Sequence, residues 1–416
     1  MTESSSGGRW PGVVSLLLAI AAGPQVFAAD APAAFPADGG LAGRLQPFVA
    51  QNVIAGAVVL VAGKDHVLDL EALGYADLAA KKPMRTTDLF YIASMTKTFT
   101  ATGLMMLVDE GKVRLDDPVE KYLPEFKGQM VQAEDGPPRP PKHPVTVREI
   151  MCHTAGLRGG PPRSDTLEGY VKEIARRPLE AEPGTRYKYS PGPAVGGRII
   201  EVVASVAYPQ FLQQRLLDPL GLKDTTFWPS AEQAARLALT YKYDPATKRL
   251  EPLHHQPPKP GNMPPIIASQ FGGSMVAAYA RHFANPAGGL FSTALDAGKF
   301  CQMLLAGGSY AGKRYLSPAA VKQMSSLQTG DLTVGREEGY GLGCFVQIRG
   351  QPGGPSAGSF GHHGARKTQM WIDPQNQLVM VLMVQCAELT HEQQNGLYAA
   401  YRKQAIARYG KPLAAP

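Results

Sequence analysis

The 416-residue sequence is poor in cysteine: Cys152, Cys301, Cys344 and Cys386 are its four, too widely separated for any metal-ligand spacing. That excludes a disulfide scaffold and a zinc-knuckle class, and the four are read as buried free thiols with one bridge left open. Charge is also sparse. Charged residues make up 19% of the chain, the net charge is +7, and the basic clusters are only pairs such as Lys81-Lys82 and Arg176-Arg177. Nothing in that pattern supports nucleic-acid binding. The chain has no tandem repeat, no glycine-rich phosphate loop and no dinucleotide fingerprint, so no organic cofactor is implied. The adjacent His254 and His255 lack a carboxylate or cysteine at ligand spacing and read as part of a solvated loop rather than a metal site.

Long apolar runs are missing too. The longest, Val13 to Ala22, follows Arg9 and precedes the small-residue stretch Val26-Phe27-Ala28. It is too short to span a bilayer comfortably and reads as a secretory signal over residues 1–28, with an Ala/Pro-rich leader over 29–40. The expectation is an exported, periplasmic protein with no stable membrane span.

What is present is an ordinary globular composition, 44% hydrophobic, with 45 Gly and 36 Pro marking many loops. Residues 41–51 pattern as a helix. Val53 to Val61 and Val67 to Gly74 pattern as two strands around the turn Gly63-Lys64-Asp65-His66. Asp88 caps a helix that stops at Gly111, and Leu115-Asp116-Asp117-Pro118 starts another. Thr146-Val147-Arg148-Glu149 is a capping box leading to His153, whose place at a helix end suggests that it fixes the next turn. Helical periodicity follows at 167–177, 195–205 and 209–217. The interval 241–268 reads as loop. Helices are expected at 294–305, 317–327 and 391–408, and strands at 339–348, 370–373 and 378–385.

Chemistry concentrates in Ser94-Met95-Thr96-Lys97. A spacing of three on a helix puts the Ser94 hydroxyl and the Lys97 amine on one face. A serine is a nucleophile at neutral pH only if a neighbouring base takes its proton, and a buried lysine serves when desolvation lowers its pKa. Alone, the pair also fits an ordinary amphipathic helix. Two further segments accompany it: Tyr187-Lys188-Tyr189-Ser190-Pro191 and Gly361-His362-His363-Gly364-Ala365.

With these three segments, and with His153-Thr154-Ala155-Gly156-Leu157, Asp218-Pro219-Leu220-Gly221-Leu222 and Ala287-Gly288-Gly289-Leu290-Phe291-Ser292-Thr293, residues 41 to 406 resemble the serine β-lactamase-related hydrolases of the class C type. That family includes penicillin-binding DD-peptidases, D-aminopeptidases and family VIII carboxylesterases. The resemblance implies an α+β, β-lactamase/transpeptidase-like fold, an antiparallel sheet flanked by helices. Residues 41–127 and 286–410 would form the α/β part and 128–285 a mainly helical insertion. It implies Ser94 as the acylated nucleophile, Lys97 as its base and Tyr189 as the proton shuttle, its phenol pKa lowered by an adjacent Lys97 ammonium. The N–H groups of Ser94 and Ala365 would form the oxyanion hole, and His362, His363 and Gly364 would contact substrate. Two departures stand out. Pro191 replaces the Asn of the Tyr-x-Asn element, and His362 replaces a Lys that would grip a carboxylate. Both favour an esterase on small esters over a β-lactamase or D-amino-acid peptidase. The third alternative is a non-catalytic penicillin-binding sensor, for which Pro191 is the support.

Overall fold

Every position of Gly56–Ala62 is buried, because this strand is covered on both faces. Its side chains alternate between two cores. Val59 and Val61 join Leu41, Leu45, Leu397 and Tyr401 on one side, and Val58 and Leu60 join Phe300 and Met303 on the other. A strand covered on both faces loses the polar alternation of a half-exposed one, which explains the unbroken apolar run. Leu378–Met383 repeats the pattern, with Met380 and Leu382 facing the first core and Val379 and Val381 the second. Each such side chain contributes about 1.5–3 kcal/mol by leaving water.

A computed structural model of the chain describes residues 39–411 apart from 134–135, 161, 254–264 and 271–281. The expected signal segment 1–28, the leader as far as residue 38 and the pair His254-His255 lie outside the described residues. The main sheet has eight antiparallel strands, in the order Glu338–Tyr340, Phe345–Gln347, Phe360–His363, Gln369–Asp373, Leu378–Met383, Gly56–Ala62, Val67–Asp77 and Lys82–Pro83. Its middle therefore joins both ends of the chain, with Val58 opposite Met383. Helices Gly40–Ala50 and His391–Tyr409 cover one face, and the Tyr401 hydroxyl lies 2.6 and 2.9 Å from the carbonyls of Leu60 and Val381. Helix Ala294–Leu305 covers the other, as its spacing predicts. Helices Val147–Met151, Leu167–Ala175 and Gly192–Ala204 share the second core beyond it. The fold is thus the α+β antiparallel arrangement expected.

Several local readings need correction. Asp88 does not cap a helix. Its Oδ2 accepts the Arg85 N–H at 2.8 Å, and the strand Phe90–Tyr91, paired to Phe291–Ser292, comes between. Pro118 opens only a 3-10 turn, Val119–Lys121. The interval after 241 holds a hairpin, Tyr241–Asp244 with Arg249–Pro252, whose turn is closed by the Asp244 carboxylate accepting the Ala246 N–H at 2.9 Å. A helix, Pro265–Gln270, follows. The run 339–348 is two strands, because Gly343 at φ 69° takes a left-handed turn between them. All four cysteines are free and buried.

Candidate active site

Ser94 sits in a 3-10 turn, Ala93–Met95, that leads into helix Thr96–Asp109. Ala93, buried at φ 45°, opens this turn, and Ser94 within it lines a groove. An L-residue held there stores strain of roughly 1–2 kcal/mol, which the surrounding contacts sustain. The Ile92 N–H donates to Leu290 O at 3.0 Å, Thr96 Oγ1 donates to Ala93 O at 2.7 Å, and the Leu290 N–H donates back to Thr96 Oγ1 at 3.1 Å. The Ala287–Leu290 segment thus clamps the turn from behind. The helix is buried all round from Thr96 to Leu107, and its threonines bond inward, Thr98 to Gly343 O at 2.8 Å and Thr100 to Pro286 O at 2.6 Å.

Lys97 is one helical turn on, only 3% exposed, with Nζ 3.2 Å from Ser94 Oγ and 2.5 Å from Ala287 O. Burial away from water lowers its ammonium pKa to about 7. The lone pair is therefore available near neutral pH, with no ion pair among the described residues to hold the proton.

Tyr189 comes from the loop before helix Gly192–Ala204. Nearly half of its surface (45%) is exposed, and it lines the groove beside Ser94. Lys97 Nζ stands over the ring, 4.6 Å from the centroid. The phenol pKa is not lowered. Desolvation pushes it above the ordinary value, and the nearby Ser94 side chain offsets only part of that. Tyr189 is thus a neutral phenol, kept so by its own desolvation.

Gly364 and Ala365 follow strand Phe360–His363 and face Ser94 across the groove. A Cβ on Gly364 would lie 2.5 Å from Ile92 O, so only glycine lets the strand end come this close to the nucleophile's turn. The two neighbouring histidines separate. His363 lines the groove and stacks on Phe345, with centroids 4.7 Å apart; burial, then Arg402, lowers its pKa to about 4. His362 is 1% exposed and does not line the groove. Its pKa is held well below the ordinary imidazole value by burial, then by His363 and Lys97. The structure does not bring His362, expected to contact substrate, to the groove: it points inward to Tyr340, whose Oη is 3.0 Å from its Nε2.

Pro191 is buried at the start of helix Gly192–Ala204 and is not among the groove residues. A Cβ at Gly192 would meet Ile150 O at 1.9 Å, which fixes the close entry of that helix.

The groove encloses about 470 Å³ and is lined by Ser94, Tyr187, Tyr189, Phe345, Tyr398 and Lys367, among others. Sequence reasoning did not single out Tyr187, Phe345, Tyr398, Lys367 or the Ala287 carbonyl. The last lies in a segment quoted above for its resemblance, yet a backbone oxygen carries no side-chain signal. Among the described residues no cluster of His, Cys, Asp and Glu fits a metal ion, and no helix is long and apolar enough to cross a membrane. The arrangement supplies a hydroxyl, a buried amine in reach of it, a phenol in the same groove and a close glycine-led strand end. That is a set suited to acyl transfer.

The family model "Beta-lactamase" matches residues 41–403. An uncharacterized protein of Mycobacterium tuberculosis is 31% identical over 373 residues, covering 82% of this chain and 88% of its own. The lovastatin esterase of Penicillium rubens is 28% identical over 299 residues, covering 67% and 70%. Among solved structures, EstCE1, described as a hydrolase with promiscuous acyltransferase activity, superposes with a TM-score of 0.71 at 26% identity over 89% of this chain and 97% of its own. On this match over most of its length, the chain belongs to the beta-lactamase family of serine hydrolases.

Proposed function

We propose that the protein is an exported carboxylesterase that hydrolyses small esters through an acyl-enzyme on Ser94. One observation carries this reading: a buried amine, Lys97 Nζ, whose pKa is lowered to about 7, lies 3.2 Å from the Ser94 hydroxyl. Lys97 takes the hydroxyl proton as Ser94 Oγ bonds to the ester carbonyl carbon. A positioned general base of this kind contributes about 10²–10⁴-fold in rate. The negative charge formed on the carbonyl oxygen is met by the N–H groups of Ser94 and Ala365, each worth about 3 kcal/mol to the intermediate. As the intermediate collapses, the bond to the alcohol oxygen breaks and the Tyr189 phenol protonates it, drawing in turn on the proton held by Lys97. Water then attacks the acyl-enzyme by the same route in reverse. His363 and Gly364 border the acyl group.

Export rests on the segment 1–28 alone. The esterase reading is favoured over the β-lactamase or D-peptidase one by the inward-facing His362, whose burial and lowered pKa leave no charge at the position where the family pattern has a lysine. Pro191 gives the sensor reading no support once its burial at a helix start is known. Short-chain p-nitrophenyl esters test the proposal. Multiple turnover abolished by Ser94→Ala is expected, with a chromogenic cephalosporin left intact. Ester turnover that survives Ser94→Ala would overturn it.

A further inference from the structure

Behind the groove runs a chain of hydrogen bonds whose direction is fixed from both ends. At one end the Ser190 backbone N–H, which only donates, lies 3.1 Å from His153 Nδ1. Nδ1 therefore carries the lone pair, and the proton of neutral His153 is on Nε2, 3.2 Å from Tyr340 Oη. Ser190 Oγ also lies 3.2 Å from Nδ1. At the other end the His363 carbonyl, which only accepts, lies 2.8 Å from His362 Nδ1. The proton of neutral His362 is therefore on Nδ1, and its Nε2 lone pair faces Tyr340 Oη at 3.0 Å. The two derivations meet at Tyr340, whose hydroxyl accepts from His153 and donates to His362. All three side chains are buried, and none lines the groove.

The ends of this chain are the two parts of the site that come from distant sequence. Ser190 follows Tyr189, and the His153 ring packs on that tyrosine, with centroids 4.4 Å apart. The His363 carbonyl belongs to the peptide just before the Gly364–Ala365 peptide that presents the Ala365 N–H. We propose that His153, Tyr340 and His362 are positioning residues that hold the Tyr189 loop in register with the Ala365 strand end, and that His362 is present for its hydrogen-bond polarity rather than for charge. A lysine at 362 would offer only donors to a hydroxyl whose own proton is already committed toward that position. Gln offers an acceptor oxygen near the place of Nε2. The chemistry these residues serve is that of the proposed esterase.

The test has one arm that needs no activity and one that does. In protein labelled with ¹⁵N-histidine, His153 is expected as the Nε2–H tautomer and His362 as the Nδ1–H tautomer. Both should remain neutral from pH 5 to 9, because burial and the nearby Lys97 oppose a further positive charge on either ring, as His363 does on His362, while Tyr187 and Tyr189 stay protonated. Tyr340→Phe should disturb both signals. With p-nitrophenyl butyrate, Tyr340→Phe and His362→Lys should lower kcat about 10- to 100-fold with KM changed less than about threefold, the signature of a misplaced group rather than lost binding. His362→Gln should keep most of kcat. The opposite tautomers, or imidazoles that titrate in that range, would overturn the proposal whether or not the protein is an esterase. So would full kcat in Tyr340→Phe or equal losses in the Gln and Lys variants. Absence of ester turnover in the unaltered protein would count against the esterase reading only, leaving the tautomers to decide.

Discussion

Lys97 is costly to keep and is placed where its cost is useful. In the unfolded chain its amine titrates near 10.5, in the folded protein near 7. Between those values the unfolded state holds the extra proton, so stability rises as pH goes from about 7 to 10.5. At pH 7 the penalty is about 4 kcal/mol. Lys97→Met removes it while losing the bond to Ala287 O, so the variant should be more stable than the parent by about 2–3 kcal/mol at pH 7. That gain should shrink toward pH 10.5, and thermal melts across that range check it. The same shift sets activity. Below pH 7 Lys97 is protonated and cannot accept from Ser94, so kcat/KM should climb with pH along a limb centred near 7 and then level. A limb near 10 would mean that the amine is not desolvated in solution. Ser94 and Lys97 were legible in the sequence because three residues along a helix is a local relation. The Tyr340 hydroxyl was not, since it lies 187 residues from His153 and 22 from His362, and no spacing rule reaches across that distance.

Among the elements, those that announce their own ends were read well. Thr146 and Glu149 form the capping box that their spacing implies, with the Glu149 Oε2 2.8 Å from the Thr146 N–H. Thr146→Ala should cost about 1 kcal/mol, read as a lower denaturation midpoint with little change in kcat. The box holds a helix and touches no groove residue. Helix Ala294–Leu305 matched its expected bounds because Thr293 caps it and its apolar face repeats. The hairpin 241–252 reads as loop in the sequence because its strands are short and half polar, and strands 338–340 and 345–347 read as one run because apolar residues continue through their turn. Gly364 belongs to this scale too. Gly364→Ala should lower kcat at least tenfold, since its Cβ would meet Ile92 O at 2.5 Å and push the strand end from Ser94. Unchanged kcat in that variant would show that the approach is not needed.

At the scale of the molecule, two cores on either side of an eight-stranded sheet hold the chain without covalent staples. The four thiols are buried and burial raises each pKa, so a thiol reagent such as DTNB should titrate none in the native protein and four after denaturation. Native labelling of any one would show an opening of the core. The sheet order was not readable from periodicity, because it joins strands from both ends of the chain; the resemblance implied only that both ends contribute to the sheet. The central claim, that a desolvated amine makes Ser94 nucleophilic, is tested most directly by fluorophosphonate labelling followed across pH, with mass mapping of the adduct. The expected result is a single adduct on Ser94, formed at a rate that rises through pH 7 and falls by about 10² or more in Lys97→Met. An adduct on another residue, or a rate indifferent to Lys97, would contradict it.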